Sequence, residues 1–277
     1  MNATRLDLDG RRSLVTGAGS GIGRALSLEL ASRRGELFLV GRREGPLAET
    51  AALVAERGGT AHVITADIAA EGEPERVVAE AAARLGGLDI LINNAGNVRA
   101  GALEEIAPSD ILAMIRLNLT APILATRAAL PHLREAGAQH GNAAILAIAS
   151  GSALVGMPFY SVYGATKAGI AKFDEALRRE LIGSGVHVAT SYPGATDTPM
   201  MTSQQAGADL GFGRRPVEEV AAEIMAALEN RQSDINTQLP ERRGLQELNE
   251  RDPLAVDAAL TPKLEELRAA VSGHRSI

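Results

Sequence analysis

The feature that most constrains the fold is a regular alternation of short apolar segments with longer alanine-rich segments, beginning near residue 11. Six apolar segments are typical of β-strands: 12–18, 37–43, 62–68, 88–96, 142–150 and 186–194. The segments between and after them are typical of helices: 21–35, 46–59, 74–87, 108–137, 163–185 and 216–230. The strands are apolar throughout, as in parallel sheets that helices cover on both faces. We therefore expect a single α/β domain with a doubly wound parallel sheet in three α/β/α layers.

Composition and charge exclude several classes of function. The 277 residues carry a net charge of -6 and no basic stripe with interleaved aromatic residues, so we expect no nucleic-acid partner. The absence of cysteine excludes disulfides and thiolate catalysis, and the five histidines lack ligand spacing, so we expect no metal site. Residues 1–12 lack the apolar core of a signal peptide, and no apolar run approaches the ~18 residues that span a membrane. We expect no membrane span and a cytoplasmic location.

A glycine-rich turn follows the first strand and leads into the first helix. It contains Gly17, Gly19, Ser20, Gly21, Ile22 and Gly23. Glycines let the backbone approach a bulky anion closely, and the helix N-terminus points N–H groups at that anion. The spacing differs from the common GxGxxG fingerprint, and by itself the turn is equally compatible with a purely steric role. Its position between a strand and a helix favours a dinucleotide phosphate site.

The end of the second strand indicates which dinucleotide would bind. NAD sites usually place an acidic residue there, which accepts hydrogen bonds from the ribose 2′-hydroxyl. Here the strand ends in Gly41, Arg42 and Arg43, and guanidinium groups suit a 2′-phosphate. The alternative is a pair of solvated surface arginines, and Glu44 follows directly behind them. We expect NADP(H) to be favoured, with NAD(H) as the other candidate.

Tyr163 and Lys167 are four residues apart, which places both side chains on one face of a helix. The chain has three tyrosines and three lysines, so an accidental exposed pair at this spacing is a poor explanation. An ammonium group beside a phenol favours the phenolate and lowers the phenol pKa. This pair therefore predicts a proton donor and acceptor that works near neutral pH.

Together these residues resemble the short-chain dehydrogenase/reductase family, whose members have a Rossmann-type fold. The similarity runs from about residue 11 to residue 230. TGAGSGIG at 16–23 is similar to the coenzyme loop of the family, NNAG at 93–96 to its motif after the fourth strand, and Tyr163 with Lys167 to its YxxxK motif. The chain departs from many members because it lacks their Asp-Gly-Gly ending.

The resemblance implies both a catalytic set and a coenzyme-binding set. The catalytic set is Asn118, Ser150, Tyr163 and Lys167. Beyond the glycine turn, Arg42, Arg43, Tyr163 and Lys167, the coenzyme-binding set adds Asp67, Ile68, Asn94, Ala95, Gly96, Pro193, Gly194, Thr196 and Thr198. In this scheme Tyr163 is the acid/base, Ser150 holds the substrate oxygen, and Asn118 holds a water that links Lys167 to solvent.

The second tyrosine of the segment, Tyr160, fails both spacing tests. It lies seven residues from Lys167, and the residue thirteen before it is Ala147, which has no hydroxyl. Tyr160 therefore either lines the substrate pocket or packs in the core. We expect the substrate-lining residues to be Ser152, Met157, Phe159, Tyr160, Met200 and Phe212. Ser152 is also a weaker alternative to Ser150, and the methionines and phenylalanines favour a moderately apolar carbonyl or alcohol substrate.

The chain after the last predicted strand divides into two parts. We assign residues 1–240 to a dinucleotide-binding and catalytic domain, with a substrate loop at about 199–215, and 241–277 to a C-terminal helical extension of the same domain. Helix starts are expected at Asp252-Pro253 and Thr261-Pro262. An apolar stripe follows, formed by Leu260, Leu264, Leu267 and Val271. This stripe either covers the substrate loop, joins a subunit partner or touches a membrane surface.

The residues and the resemblance together predict an NADP(H)-dependent oxidoreductase that interconverts a secondary alcohol and a ketone. Two alternatives stay open: a non-catalytic NADP(H)-binding sensor or scaffold of the same fold, and an NAD-dependent alcohol dehydrogenase. Family analogy further implies a homodimer or homotetramer, formed through the long helices at 108–137 and 163–183. The identity of the substrate is not predicted.

Overall fold

A seven-stranded parallel sheet forms the centre of the computed structural model, which describes residues 5–276. Residues 1–4, part of the segment tested for a signal peptide, and residue 277 lie outside the described residues. The strands of this sheet are β1 Arg12–Thr16, β2 Glu36–Gly41, β3 Thr60–Thr65, β4 Ile90–Asn93, β6 Ala143–Ile148, β7 Val186–Ser191 and β8 Asp234–Ile235. A separate two-stranded antiparallel sheet pairs β5 Val98–Arg99 with β9 Arg275–Ser276.

The strands of the main sheet lie in the order β3-β2-β1-β4-β6-β7-β8. Every neighbouring pair is parallel. The chain winds outward in one direction from β1 to β3 and in the other from β4 to β8. The order therefore reverses between β1 and β4, which opens a crevice at their carboxyl ends. This topology confirms the predicted doubly wound parallel sheet.

Helices cover both faces of the sheet. The helices in chain order are α1 Gly21–Ala31, α2 Glu44–Glu56, α3 Glu73–Leu85, α4 Pro108–Ile115, α5 Ala121–His140, α6 Ser161–Glu180, α7 Val217–Glu229, α8 Pro240–Arg251, α9 Pro253–Leu260 and α10 Leu264–Val271. One buried apolar cluster joins α1, α2 and α7 to the sheet, and a second joins α3, α5 and α6 to its other face. The result is the expected three-layer α/β/α arrangement.

The segment predicted as one long helix at 108–137 is continuous but not uniform. A π-helical turn, Arg116–Thr120, separates α4 from α5, and the whole runs from Pro108 to His140. By length and composition it is the one helix among residues 5–276 that would suffice to cross a membrane. Buried core helices meet the same criterion, and Ala125, Ala129 and Leu133 of α5 pack against the sheet.

The C-terminal extension contains one helix more than the sequence predicts. The missed helix, α8, begins at Pro240 after Leu239, a residue whose side chain cannot cap a helix. The predicted start at Asp252 is present, and its carboxylate accepts a hydrogen bond from the backbone N–H of Ala255 at 3.1 Å. The predicted cap at Thr261 is wrong: its hydroxyl donates backward to the carbonyl of Asp257 at 2.7 Å, and a 3₁₀ turn follows.

The apolar stripe of the extension covers the substrate loop in this structure. Leu267 and Val271 are fully buried against Ala206 and Leu210 of the loop. Leu264 stays largely exposed, so the stripe is narrower than predicted. After α10 the chain turns back, and β9 pairs with β5 close to the carboxyl end of β4. Residues 275–276 are thereby held beside the loop that follows β4, close to the crevice.

Candidate active site

A cavity of about 310 Å³ lies in the crevice at the carboxyl ends of the strands. Of the predicted coenzyme-binding residues, those lining it are Gly17, Gly19, Ser20, Gly21, Ile22, Arg42, Arg43, Asp67, Ile68, Asn94, Ala95, Gly96, Tyr163, Lys167, Pro193, Gly194, Thr196 and Thr198. The other predicted site residues lining it are Ser150, Ser152, Tyr160, Met200 and Phe212. Segments that are distant in the sequence thus border one space.

Four predicted site residues do not line this cavity. Gly23 lies beneath the glycine turn, and Asn118 is buried behind Gly96 and Lys167. Met157 is buried in the apolar cluster under the substrate loop, and Phe159 packs against the same cluster. These four residues lie behind the cavity walls in this structure, and the contact of Met157 and Phe159 with the substrate stays a prediction.

The glycine turn is shaped by contacts that side chains would prevent. Gly21 has a φ of 54°, a left-handed conformation that favours glycine, and a Cβ there would lie 3.1 Å from Thr198. A Cβ on Gly23 would overlap the side-chain amide of Asn94. That amide donates to the carbonyls of Thr16, at 2.9 Å, and Gly17, at 3.2 Å. The turn is thus tied to β4, and its open backbone fits a coenzyme phosphate at the start of α1.

Two unpaired guanidinium groups stand at the rim of the cavity. Arg42 and Arg43 are exposed, and within residues 5–276 neither side chain has a hydrogen-bond or ion-pair partner. Arg24, by contrast, is engaged with Thr50 and Glu49. Unpaired arginine side chains lie next to a turn that fits a phosphate. This arrangement suits a coenzyme that has an additional phosphate on its adenosine ribose.

Ser150, Tyr163 and Lys167 meet on one wall of the cavity. Ser150 follows β6 and its hydroxyl accepts a hydrogen bond from the backbone N–H of Ser152 at 3.1 Å. Lys167, on α6, donates to the carbonyl of Ile148 at 2.8 Å, and its Nζ lies 5.8 Å from the ring centre of Tyr163. The serine, the phenol and the ammonium are therefore brought together from a strand end and one helix face.

Burial dominates the protonation behaviour of this wall. Burial raises the pKa of Tyr163, although a hydrogen bond with Ser150 opposes the rise. Burial also lowers the pKa of Lys167 to about 8. Lys167 is not among the groups that lower the Tyr163 pKa here, so the expected lowering is not seen, and Tyr163 is a neutral phenol at neutral pH. That is the form able to donate a proton.

Asn118 connects two segments of the site through hydrogen bonds, behind the wall that carries Tyr163 and Lys167. It lies in the π-helical turn between α4 and α5, and its side-chain oxygen accepts from the backbone N–H of Asn97 at 2.8 Å. Its amide donates to the carbonyl of Asn97 at 2.9 Å and to the hydroxyl of Thr166 at 3.2 Å. Asn118 therefore joins the loop after β4 to α6, next to Lys167. The role of holding a water stays a prediction.

Tyr160 both borders the cavity and packs in the core, the two alternatives that the sequence leaves open. Its ring is 4% exposed and packs in the apolar cluster under the substrate loop, and it also borders the cavity. Its hydroxyl lies 2.7 Å from Nδ1 of His274, near the end of the chain. Burial raises the pKa of the Tyr160 phenol, so this hydroxyl keeps its proton.

Three cavity residues from the C-terminal part of the chain were not predicted: Gln238, Arg242 and His274. Gln238 is buried and fills the space left by the missing side chain of Gly151. No sequence motif predicts these residues. They reach the cavity only because the preceding loops follow a path that depends on tertiary packing. The isolated position of His274 near the end of a helical extension was the only available clue.

Comparisons with known proteins identify relatives of this chain. A family model described as short chain dehydrogenase matches residues 11–209. The ketoacyl reductase HetN of Nostoc sp. is 31% identical over 229 residues, which cover 82% of this chain and 78% of HetN. Two other curated relatives are longer, and the chain spans only 62% and 54% of their lengths.

Two solved structures have the same fold over most of the chain. A short chain dehydrogenase from Burkholderia cenocepacia in complex with NADP has a TM-score of 0.76 at 31% identity, covering 84% of this chain and 98% of that one. A 3-ketoacyl-(acyl-carrier-protein) reductase from Brucella melitensis complexed with NADH has a TM-score of 0.76 at 26% identity, covering 83% and 98%. The chain is a member of the short-chain dehydrogenase/reductase family and an NAD(P)-dependent oxidoreductase.

Proposed function

We propose that this protein interconverts a secondary alcohol and a ketone with NADP(H), using Tyr163 as general acid/base with help from Lys167, Ser150 and Asn118. The observation that carries the proposal is the meeting of Ser150, Tyr163 and Lys167 on one wall of a cavity that the glycine turn also lines. HetN and the Brucella protein are both named as reductases of ketoacyl groups, which supports a ketone as the reacting group.

The residues that would hold the coenzyme divide into three groups. The glycine turn and the start of α1 would bind its phosphates, and Arg42 with Arg43 would bind the 2′-phosphate. The segment from Pro193 to Thr198, which lines the cavity, would cover its nicotinamide end, as the resemblance to the family implies. When bound, the coenzyme supplies or accepts the hydride.

The protein residues handle the proton and hold the substrate oxygen. In reduction, the neutral Tyr163 phenol donates its proton to the carbonyl oxygen, and the hydroxyl of Ser150 donates a hydrogen bond to the same oxygen. The resulting phenolate is stabilised by the nearby Lys167 ammonium, whose pKa of about 8 lets it return a proton near neutral pH. In oxidation the same groups act in the opposite order.

The substrate would be moderately apolar in the part next to Tyr163. The wall there is formed by Tyr160, Met200 and Phe212, which belong to an apolar cluster behind the cavity. Burying a methylene group against such walls contributes about 0.8 kcal/mol, whereas a sugar would leave hydroxyl groups without partners. The cluster therefore favours an alkyl or aromatic ketone.

A coenzyme-coupled screen of ketones and secondary alcohols would test the proposed reaction. Purified protein should oxidise NADPH in the presence of an apolar ketone, and Tyr163→Phe should reduce kcat by about 100-fold or more, since a general acid contributes 10²–10⁴-fold. Tyr192→Phe, which removes a buried hydroxyl bonded to Asp234 at 3.0 Å, is the control and should retain activity. Full turnover by Tyr163→Phe would disprove the acid/base assignment.

We also propose a homodimer or homotetramer formed through α4, α5 and α6. Leu112 and Ile115 of α4 are 51% and 36% exposed and lie three residues apart, so they share one face of the helix and could pack against a second chain. Residues 241–276 would form an extension of the same domain, because they pack on the substrate loop. Light scattering of the purified protein should give two or four chains, and Leu112→Asp should lower that number.

A further inference from the structure

Arg242 places a cation at the substrate side of the cavity. It lies in the first turn of α8, and its side chain passes Gly211, where an added Cβ would be 3.3 Å from Nη1. No carboxylate lies within ion-pair distance of Arg242 among residues 5–276, and none contributes to its pKa. The next arginine, Arg243, differs because it is satisfied by the carbonyls of Asn236 and Gln238.

The guanidinium group of Arg242 is poorly satisfied by the protein. It has five N–H donors, yet the only hydrogen bond that it makes in the described chain is to the thioether of Met157, a weak acceptor, at 3.2 Å. Its Cζ lies 5.8 Å from the ring centre of Phe212. Burial lowers the pKa of the Arg242 guanidinium, and no neighbouring group opposes that shift. A half-buried charge normally has a partner.

The position of this cation relative to Tyr163 follows from a row of aromatic rings. The ring centres of Tyr163 and Tyr160 are 6.2 Å apart, and those of Tyr160 and Phe212 are 5.8 Å apart. Phe212 then contacts Arg242. The proton donor and the cation therefore border the same cavity with an apolar surface between them.

We propose that Arg242 binds an anionic oxygen group of the substrate, a carboxylate or a phosphate. The substrate is then an apolar ketone whose acidic group lies several bonds from its carbonyl carbon. The apolar stretch crosses Tyr160 and Phe212, and the anion meets the free N–H donors of Arg242, which suit bidentate binding. This inference rests on the proposed ketone reduction and adds the second recognition point of the substrate.

The test compares charged and neutral versions of one ketone series. The probes are methyl-ketone carboxylic acids of increasing chain length, their methyl esters, and the matching ketones with a terminal phosphate ester, each with NADPH. Arg242→Gln should raise KM for the best acid or phosphate by about 10- to 100-fold, the worth of one charge-assisted contact, and change the ester far less. Arg242→Lys should raise KM less than Arg242→Gln does, because lysine keeps the positive charge but lacks the paired N–H donors of the guanidinium group.

Arg251→Gln is the matched control, since Arg251 ends the same helix, is exposed and does not line the cavity. It should leave every KM unchanged. A preference for the acid identifies a carboxylate, and a preference for the phosphate ester identifies a phosphate. Equal use of acid and ester by the wild type, or an equal effect of Arg242→Gln on both, would overturn the inference.

Calorimetric titration separates this inference from the proposed reaction. Saturated fatty carboxylates and alkyl phosphates of matching length, which cannot be reduced, should bind the wild-type protein with NADP⁺ present and bind Arg242→Gln about 10-fold more weakly. If no ketone is reduced, the proposed reaction is wrong, and the anion site is then judged by this titration alone. Equal binding by the wild type and Arg242→Gln would disprove the site.

Discussion

The hydroxyl of Tyr160 and Nδ1 of His274 lie 2.7 Å apart, although 114 positions separate them in the chain. Nε2 of His274 lies 3.0 Å from the carbonyl oxygen of Met200, which can only accept, so Nε2 carries the proton and Nδ1 is free to accept. Tyr160 is therefore the donor. One buried imidazole thus joins the start of α6, the substrate loop and the end of the chain.

Removing this hydrogen bond should loosen the end of the chain without unfolding the sheet. We expect Tyr160→Phe to keep the ring packing and to leave His274 Nδ1 unpaired, which costs ~1 to 3 kcal/mol for a buried group. Hydrogen exchange at 264–276 should accelerate in Tyr160→Phe. Tyr192→Phe loses a hydroxyl that bonds Asp234 instead, so exchange at 264–276 should stay slow in that variant.

Acid should weaken the same connection. Burial lowers the pKa of His274 below 6.5, and nearby Arg214 lowers it further, although the Met200 carbonyl opposes the shift. A depressed pKa means that the unfolded chain binds the proton more readily, so the stability from neutral His274 is present above pH 6.5 and is lost as the pH falls below it. The opening constant for exchange at 264–276, obtained by dividing each exchange rate by the intrinsic amide rate at that pH, should therefore rise on acidification. His274→Gln should flatten that dependence.

Turnover should depend on the protonation of Lys167. Its pKa is lowered to about 8, so the ammonium that stabilises the Tyr163 phenolate is lost as the pH rises through that value. We expect kcat for ketone reduction to fall above about pH 8, and Lys167→Met to be nearly inactive at every pH. Lys172→Met changes an exposed lysine on the same helix that pairs with Glu175, and its pH profile should match the wild type.

Coenzyme preference should depend on the free arginines at the cavity rim. Replacing Arg42 with Asp puts a carboxylate where a 2′-phosphate would lie, so KM for NADPH should rise by about 10-fold or more while KM for NADH changes little. Arg57→Asp makes the same charge change on an exposed residue at the end of α2, away from the cavity. Parallel losses with both coenzymes in Arg42→Asp would contradict NADP(H) preference.

Asp174 should limit stability at alkaline pH. This carboxyl is buried on α6, accepts a hydrogen bond from Thr190 at 2.8 Å, and has a pKa raised by burial to about 7. Since the folded state binds the proton more tightly, stability falls as the pH rises from about 4 to 7, by up to ~4 kcal/mol. Asp174→Asn should therefore raise Tm relative to the wild type more at pH 8 than at pH 5. Exposed Asp257→Asn should show no such dependence.

Local sequence patterns predicted the features that are set by residues close together in the chain. Tyr163 and Lys167 share a helix face because four residues make about one turn, and the glycine turn follows from a strand that leads into a helix. Helix α8 was missed because Leu239 offers no capping group before Pro240. The cap assigned to Thr261 failed because its hydroxyl bonds within the preceding turn instead.

The sequence alone determined the layered parallel sheet, the coenzyme turn and the spacing of the catalytic candidates, since these follow from chain connectivity and from periods of two to four residues. The role of the C-terminal extension, by contrast, follows from its contacts with distant segments. Its contribution of His274 and Arg242 to the cavity depends on the path of the chain around the substrate loop. Leu267 and Val271 are buried against the substrate loop; their spacing predicts an apolar stripe, but which distant segment covers that stripe depends on tertiary packing.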